Sequence, residues 1–288
     1  MSCCLSIIES CLKGHIECLR IIYEKDPKGI KLRDESGCTA FYASCCNGEM
    51  ECVKFIYDRD PEQISIKDED DFTPLYMSCF NGNLDCVKFI YDRDPEQLSK
   101  ETIYGCSPFY ISCYNGYLDC VKFIYSQDPN QISIQDSEGN TPLCVCCMNG
   151  NLECLKFIYD RDPNQIKINN DNIGNTSFYI SCIYGHIECV KFIYENDVES
   201  ITKDELERLL PKVNNDIKLY LNNILNKLDM KVKCSKCRTE QRCYKLYIDV
   251  SIECPICYNE IFPSEGKLWS TQCGHIMCDV CLKSLMNL

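Results

Sequence analysis

The chain has 288 residues, 45% hydrophobic and 25% charged, with a net charge of −13. That suits a folded protein with room for one extended array or two compact domains, and the absence of any apolar run of about 18 residues excludes a helical membrane span. Residues 1–200 hold 17 Lys and Arg against 32 Asp and Glu, whereas residues 201–288 hold 13 against 11. The acidic stretch would repel a phosphate backbone, so neither nucleic acid nor membrane is expected as a partner.

The first residues, MSCCLSIIESCLKG, carry no basic region ahead of their short apolar stretch, so no secretory signal is expected. An intracellular, cytoplasmic setting follows. There the 27 cysteines would be thiols or zinc ligands rather than disulfides.

From residue 13 a segment recurs six times: KGHIECLRIIYEKDP, NGEMECVKFIYDRDP, NGNLDCVKFIYDRDP, NGYLDCVKFIYSQDP, NGNLECLKFIYDRDP and YGHIECVKFIYENDV. Its glycines, Gly14, Gly48, Gly82, Gly116, Gly150 and Gly185, are spaced 34, 34, 34, 34 and 35 residues apart. A fixed period of this size denotes stacked supersecondary units. Thr73-Pro74-Leu75, Ser107-Pro108-Phe109 and Thr141-Pro142-Leu143 each read as a helix start, the hydroxyl capping orphan N–H groups and proline sacrificing no bond. The glycine supplies a left-handed turn. A second helix follows, as in Leu84–Tyr91, with apolar residues at helical spacing. It is expected to stop before Asp94-Pro95, and a polar segment to lead to the next cap.

Thr73-Pro74-Leu75-Tyr76, Ser78-Cys79, Gly82, Cys86-Val87 and Ile90-Tyr91 resemble the ankyrin repeat. The resemblance implies a mainly α solenoid over residues 1–197 that binds a protein partner. Tyr42, Tyr76, Tyr110, Cys144 and Tyr179 stand where that family has histidine, and the longer period implies an extra residue near Asp-Pro. Cys11, Cys45, Cys79, Cys113, Cys147 and Cys182 would fill one small core position, and Cys18, Cys52, Cys86, Cys120, Cys154 and Cys189 another. His15 and His186, beside the turn glycine, read as structural. Tips that differ between repeats, Glu69-Asp70-Asp71-Phe72 and Thr102-Ile103-Tyr104, are candidate partner contacts.

Residues 198–230 read as a helical cap or linker. Thr202-Lys203-Asp204-Glu205 has the form of a capping box, Pro211 breaks the pattern, and Ile217, Leu221, Ile224, Leu225 and Leu228 mark an amphipathic helix.

Residues 231–288 carry Cys254-x2-Cys257, Cys273-x-His275 and Cys278-x2-Cys281. Closely spaced thiolates and an imidazole suit tetrahedral zinc, because each short loop presents two ligands to one metal. This order resembles a RING finger, lacking its last ligand pair. By the cross-braced scheme of that family, Cys254, Cys257, Cys278 and Cys281 hold one zinc, and Cys273 and His275 belong to a second. Three completions stay open. A fourth pair lies beyond residue 288; Cys234 and Cys237 complete the second site; or Cys234, Cys237, Cys254 and Cys257 form a zinc ribbon. The resemblance also implies that Ile256, Leu282 and Leu285 contact a ubiquitin-conjugating enzyme. No catalytic residue is expected, because such ligases act by proximity without a covalent intermediate. The functional expectation is a RING-type ubiquitin ligase that recruits its substrate through the repeats. The alternative is a non-catalytic scaffold with a structural zinc module.

Overall fold

Each repeat begins with a hydroxyl that closes a helix. The side chains of Thr39, Thr73, Ser107, Thr141 and Thr176 each accept a bond from the backbone N–H three residues on, at 3.1–3.2 Å. In the computed structural model, described for residues 4, 6–168, 175–198 and 200–229 and for short strands between 244 and 277, the chain divides into two units, Met1–Ile201 and Thr202–Leu288.

The first unit is the helical array. Its inner helices are α1 (Ile7–Leu12), α3 (Ala40–Asn47), α5 (Pro74–Phe80), α7 (Pro108–Asn115), α9 (Pro142–Asn149) and α11 (Ser177–Tyr184). Each is followed by an outer helix: α2 (Ile16–Lys25), α4 (Met50–Tyr57), α6 (Leu84–Tyr91), α8 (Leu118–Gln127), α10 (Leu152–Tyr159) and α12 (Ile187–Asn196). Successive inner helices stack directly on one another. The turn glycines have φ between +66° and +88°. They are doubly required, because a Cβ at Gly82 would stand 2.4 Å from the Tyr117 ring and one at Gly150 would stand 2.4 Å from His186.

The core is thiol-rich at eleven of the twelve positions the repeat pattern marks, whereas Cys18, in the first repeat, is only half-buried. Cys11, Cys45, Cys79, Cys113, Cys147 and Cys182 are all fully buried, and so are Cys52, Cys86, Cys120, Cys154 and Cys189 to within 1%. Phe41, Leu75, Phe109, Leu143 and Phe178 fill the space beside them.

The Asp-Pro segments differ from the polar connection expected. Proline does end the outer helix, but it then opens a one-turn 3-10 helix at Pro27–Lys31, Pro61–Ser65, Pro95–Ser99, Pro129–Ser133 and Pro163–Lys167. Proline suits a first helical position because its fixed φ is already helical. Each turn buries an apolar residue (Ile30, Ile64, Leu98, Ile132, Ile166), and the last four also bury a glutamine. Gln63 Nε2 donates to Ile30 O at 2.8 Å and to Asp60 Oδ2, while its Oε1 accepts from Phe41 N at 3.1 Å. Gln97 makes the same three bonds to Ile64, Asp94 and Leu75. One buried amide thus joins two repeats and an inner helix.

The second unit begins with α13 (Lys203–Leu209), capped by Thr202, whose Oγ1 accepts from Glu205 N at 3.2 Å. It packs with α14 (Asn215–Asp229). Ile217, Leu221, Ile224 and Leu225 are buried at positions the amphipathic pattern marks, and Leu206 and Leu209 of α13 are buried as well. The Leu228 side chain lies outside the described residues. Strand β1 (Tyr244–Leu246) pairs with β4 (Leu268–Ser270), which pairs with β5 (Ile276–Met277). Strand β2 (Ile252–Glu253) pairs with β3 (Glu260–Ile261), and all these pairings are antiparallel.

Candidate functional site

The loops between repeats are built to one plan. Asp68 Oδ1 accepts from Asp70 N and Phe72 N, turning the backbone back on itself. Asp34, Thr102 and Asp136 hold the corresponding loops in the same way. Neighbouring tips are also tied: Glu69 N donates to Ser36 O at 3.2 Å and Ser137 N to Tyr104 O at 2.8 Å. The tyrosines that replace histidine serve this surface. Tyr42 OH donates to Asp68 and Tyr110 OH to Asp136, each reaching the loop of the next repeat. Burial, reinforced by the aspartate, pushes both phenols well above their usual range. Tyr76 stacks instead on Phe72, with ring centroids 5.0 Å apart.

Of the tips proposed as contacts, Glu69, Asp70 and Asp71 are exposed and Phe72 half-buried, whereas Thr102 is buried and serves the loop rather than a partner. Ile103 and Tyr104 are 69% and 61% exposed. Asp71 has φ +66°, the one non-glycine residue with positive φ among those described. The outer helices carry a different pattern, absent from the sequence expectations. Arg59 lies 3.4 Å from the Phe55 ring centre and 5.1 Å from that of Tyr23, and its guanidinium donates to Phe55 O. Arg93 and Arg161 repeat this between Phe89 and Tyr57 and between Phe157 and Tyr125. A period of 34 residues in the Phe and Arg positions was the available signal.

Most array thiols are held protonated, whereas Cys52 is shifted below the ordinary value by its hydrogen bond with Cys11. Burial raises Cys45, Cys79, Cys146 and Cys147 well above the ordinary thiol range. It holds Cys189 at about 11 and Cys120 at about 12. His186 is structural, its Nε2 meeting Met148 O at 2.8 Å.

In the second unit, Cys234, Cys237, Cys254, Ile256, Cys257, Cys273, His275, Cys278, Cys281, Leu282 and Leu285 all lie outside the described residues. Their flanks are described. Glu253 pairs with Glu260 across β2 and β3, and the chain between them contains Cys254 and Cys257. Ser270 pairs with Ile276 across β4 and β5, and the chain between them contains Cys273 and His275. Each of these two antiparallel ribbons brackets a Cys/Cys or Cys/His pair in the sequence, and side chains of that kind fit zinc.

Residues 61–133 and 109–204 match the family model for ankyrin repeats in three copies. The chain is an ankyrin-repeat protein. Residues 253–287 match the model of a zinc-RING finger domain. The ankyrin-repeat protein is also similar to the crystal structure of the human ASB11 ankyrin repeat domain. The TM-score is 0.60 at 15% identity, over 76% of this chain and 97% of that one, a likeness of fold. Comparison with curated proteins gives no match. Among the described residues no helix is long and apolar enough to cross a membrane.

Proposed function

We propose that this chain is a RING-type ubiquitin ligase whose ankyrin array captures the substrate. The observation that carries the proposal is the order of the two matches, a protein-binding array followed by a zinc-RING finger domain at 253–287. In this reading Cys254, Cys257, Cys278 and Cys281 hold one zinc, and Cys273 and His275 belong to a second, for which Cys234 and Cys237 are one of the open completions. Zinc would supply folding energy to a segment too small to bury a core of its own. Ile256, Leu282 and Leu285 would then offer an apolar face to the conjugating enzyme. The tips around Glu69–Phe72 and Ile103-Tyr104 would select the substrate, inside the cell.

The test is self-ubiquitination by the zinc-loaded full chain with a panel of conjugating enzymes. Ubiquitin chains are expected with at least one enzyme, and Ile256→Ala should slow them about tenfold, the loss of one interface anchor. No product from a fully zinc-loaded chain with any enzyme would sink the ligase reading and leave a non-catalytic interaction protein.

A further inference from the structure

The first repeat departs from the pattern of the later ones at two positions, and the departures meet. In repeats three, five and six the residue after the turn glycine reaches back to the preceding inner helix. Asn83 Nδ2 donates to Cys45 O and Cys46 O, Asn151 Nδ2 to Cys113 O and Tyr114 O, and His186 meets Met148 O. His15 instead turns its Nδ1 to Cys4 Sγ, 3.3 Å away. The outer-helix thiol is buried in repeats two to six, but Cys18 is only partly buried. The three ligand atoms of Cys4, His15 and Cys18 all lie within 4.8 Å of one another. No other set of three such side chains among the described residues gathers so closely.

We infer that Cys4, His15 and Cys18 bind one zinc ion, a site separate from the C-terminal module. Three arguments converge on it. The first is chemical: two thiolates and one imidazole are a donor set that selects zinc over harder cations. The second is geometric. Zinc–sulfur bonds of about 2.3 Å and zinc–nitrogen bonds of about 2.0–2.1 Å at tetrahedral angles put such ligand atoms about 3.5–3.8 Å apart. The cluster already brackets that separation and needs only side-chain adjustment to reach it. The third is electrostatic. His15 caps α2 and Cys18 is its third residue, so they share one face at three-residue spacing. The Cys18 thiolate then sits over the first turn of a ten-residue helix, where unpaired N–H groups favour negative charge.

As zinc binds, both thiols lose their protons to solvent and the imidazole binds as the neutral ring, so the ion's two positive charges meet two thiolates. His15 is exposed and Cys18 half-exposed, which leaves the fourth position open to water. The ion would tie the segment ahead of α1 to the start of α2 and stiffen the first repeat. The competing account of the same coordinates is a thiol–imidazole hydrogen bond that holds no metal.

The experiment counts zinc per full-length chain by native mass spectrometry and elemental analysis. Cys4→Ser and Cys18→Ser are each expected to lower the count by one against the unmutated protein, while Cys38→Ser leaves it unchanged. The same loss of one is expected in a Cys254→Ser background, so the result stands whatever the C-terminal module holds. Unchanged counts in both Cys4→Ser and Cys18→Ser overturn the site. Hydrogen exchange on the unmutated protein covers the case of a variant that fails to fold. Adding zinc to the chelator-stripped chain should slow exchange across residues 6–25, and no zinc-dependent change there also overturns it.

Discussion

The array and the segment after residue 231 both depend on cysteine and use it oppositely. In the array each helix contributes one thiol at a small core position, and its neighbour comes from the next repeat, as Cys45 meets Cys86 and Cys11 meets Cys52. Burial keeps most of these thiols protonated and inert. In the second unit six cysteines come as pairs with two residues between them, 234/237, 254/257 and 278/281, outside any repeat. Local spacing does not separate the two uses, because Cys144 and Cys147 have the same two-residue interval and are buried in α9. The repeat period does: thiols that recur with it are stacked into a core, whereas the later pairs belong to no stacked unit.

Removing metal should divide the two regions most strongly. A strong chelator is expected to abolish folding of residues 231–288, where structural zinc is worth about 10–16 kcal/mol. The array should lose helicity only near its first repeat, which circular dichroism with hydrogen exchange would resolve. Loss of the whole array would break the contrast.

Alkali should act in the reverse direction. Thiols held above their ordinary value of 9.0, such as Cys189 at about 11 and Cys120 at about 12, favour the folded, protonated form. That stability is fully present below pH 9 and is lost as pH rises toward the folded values. Each such thiol weakens the array by about 1.4 kcal/mol per pH unit in that window. Denaturant midpoints measured from pH 7 to pH 11 should therefore stay level and then fall. A curve flat to pH 11 would mean that these thiols are not buried in solution.

Single substitutions in the array sharpen the contrast further. Gln63→Ala strands Phe41 N and Ile30 O in a buried setting and should cost about 3 kcal/mol in chemical denaturation. Arg93→Ala removes the stack on Phe89 and Tyr57 and should cost about 1 kcal/mol. Neither should change zinc content. Gln131 and Gln165 each leave Oε1 without a partner in the described structure, so the equivalent Gln131→Ala should cost less than Gln63→Ala.

The array was legible because local and long-range signals agree. A cap, a turn glycine and an apolar helix recur at one spacing, and the structure contains each of them. What sequence reading passed over were polar groups acting as core. Proline signals the end of the outer helix, but its fixed φ lets it also begin a 3-10 turn. Gln63, Gln97, Gln131 and Gln165 recur at the repeat period, yet glutamine suggests solvent until its carbonyl partners are known. The arginine stacks were hidden for a like reason, since a D-R-D run reads as surface charge. For the zinc module, spacing marks ligand pairs but not which pairs share an ion, because cross-bracing is decided by contacts far apart in the chain.

The buried glutamines also bear on how such an array can change in length. Gln63 bonds a carbonyl 33 residues back, and Gln97 does the same; Asn83 and Asn151 each reach 38 residues back. Residues 52–63 and 86–97 are identical, CVKFIYDRDPEQ. A duplication or deletion that crosses over between those stretches adds or removes one whole period and keeps the buried-glutamine junction in register. The protein can therefore gain or lose a module, and with it a loop tip, in one genetic event and without redesigning that junction.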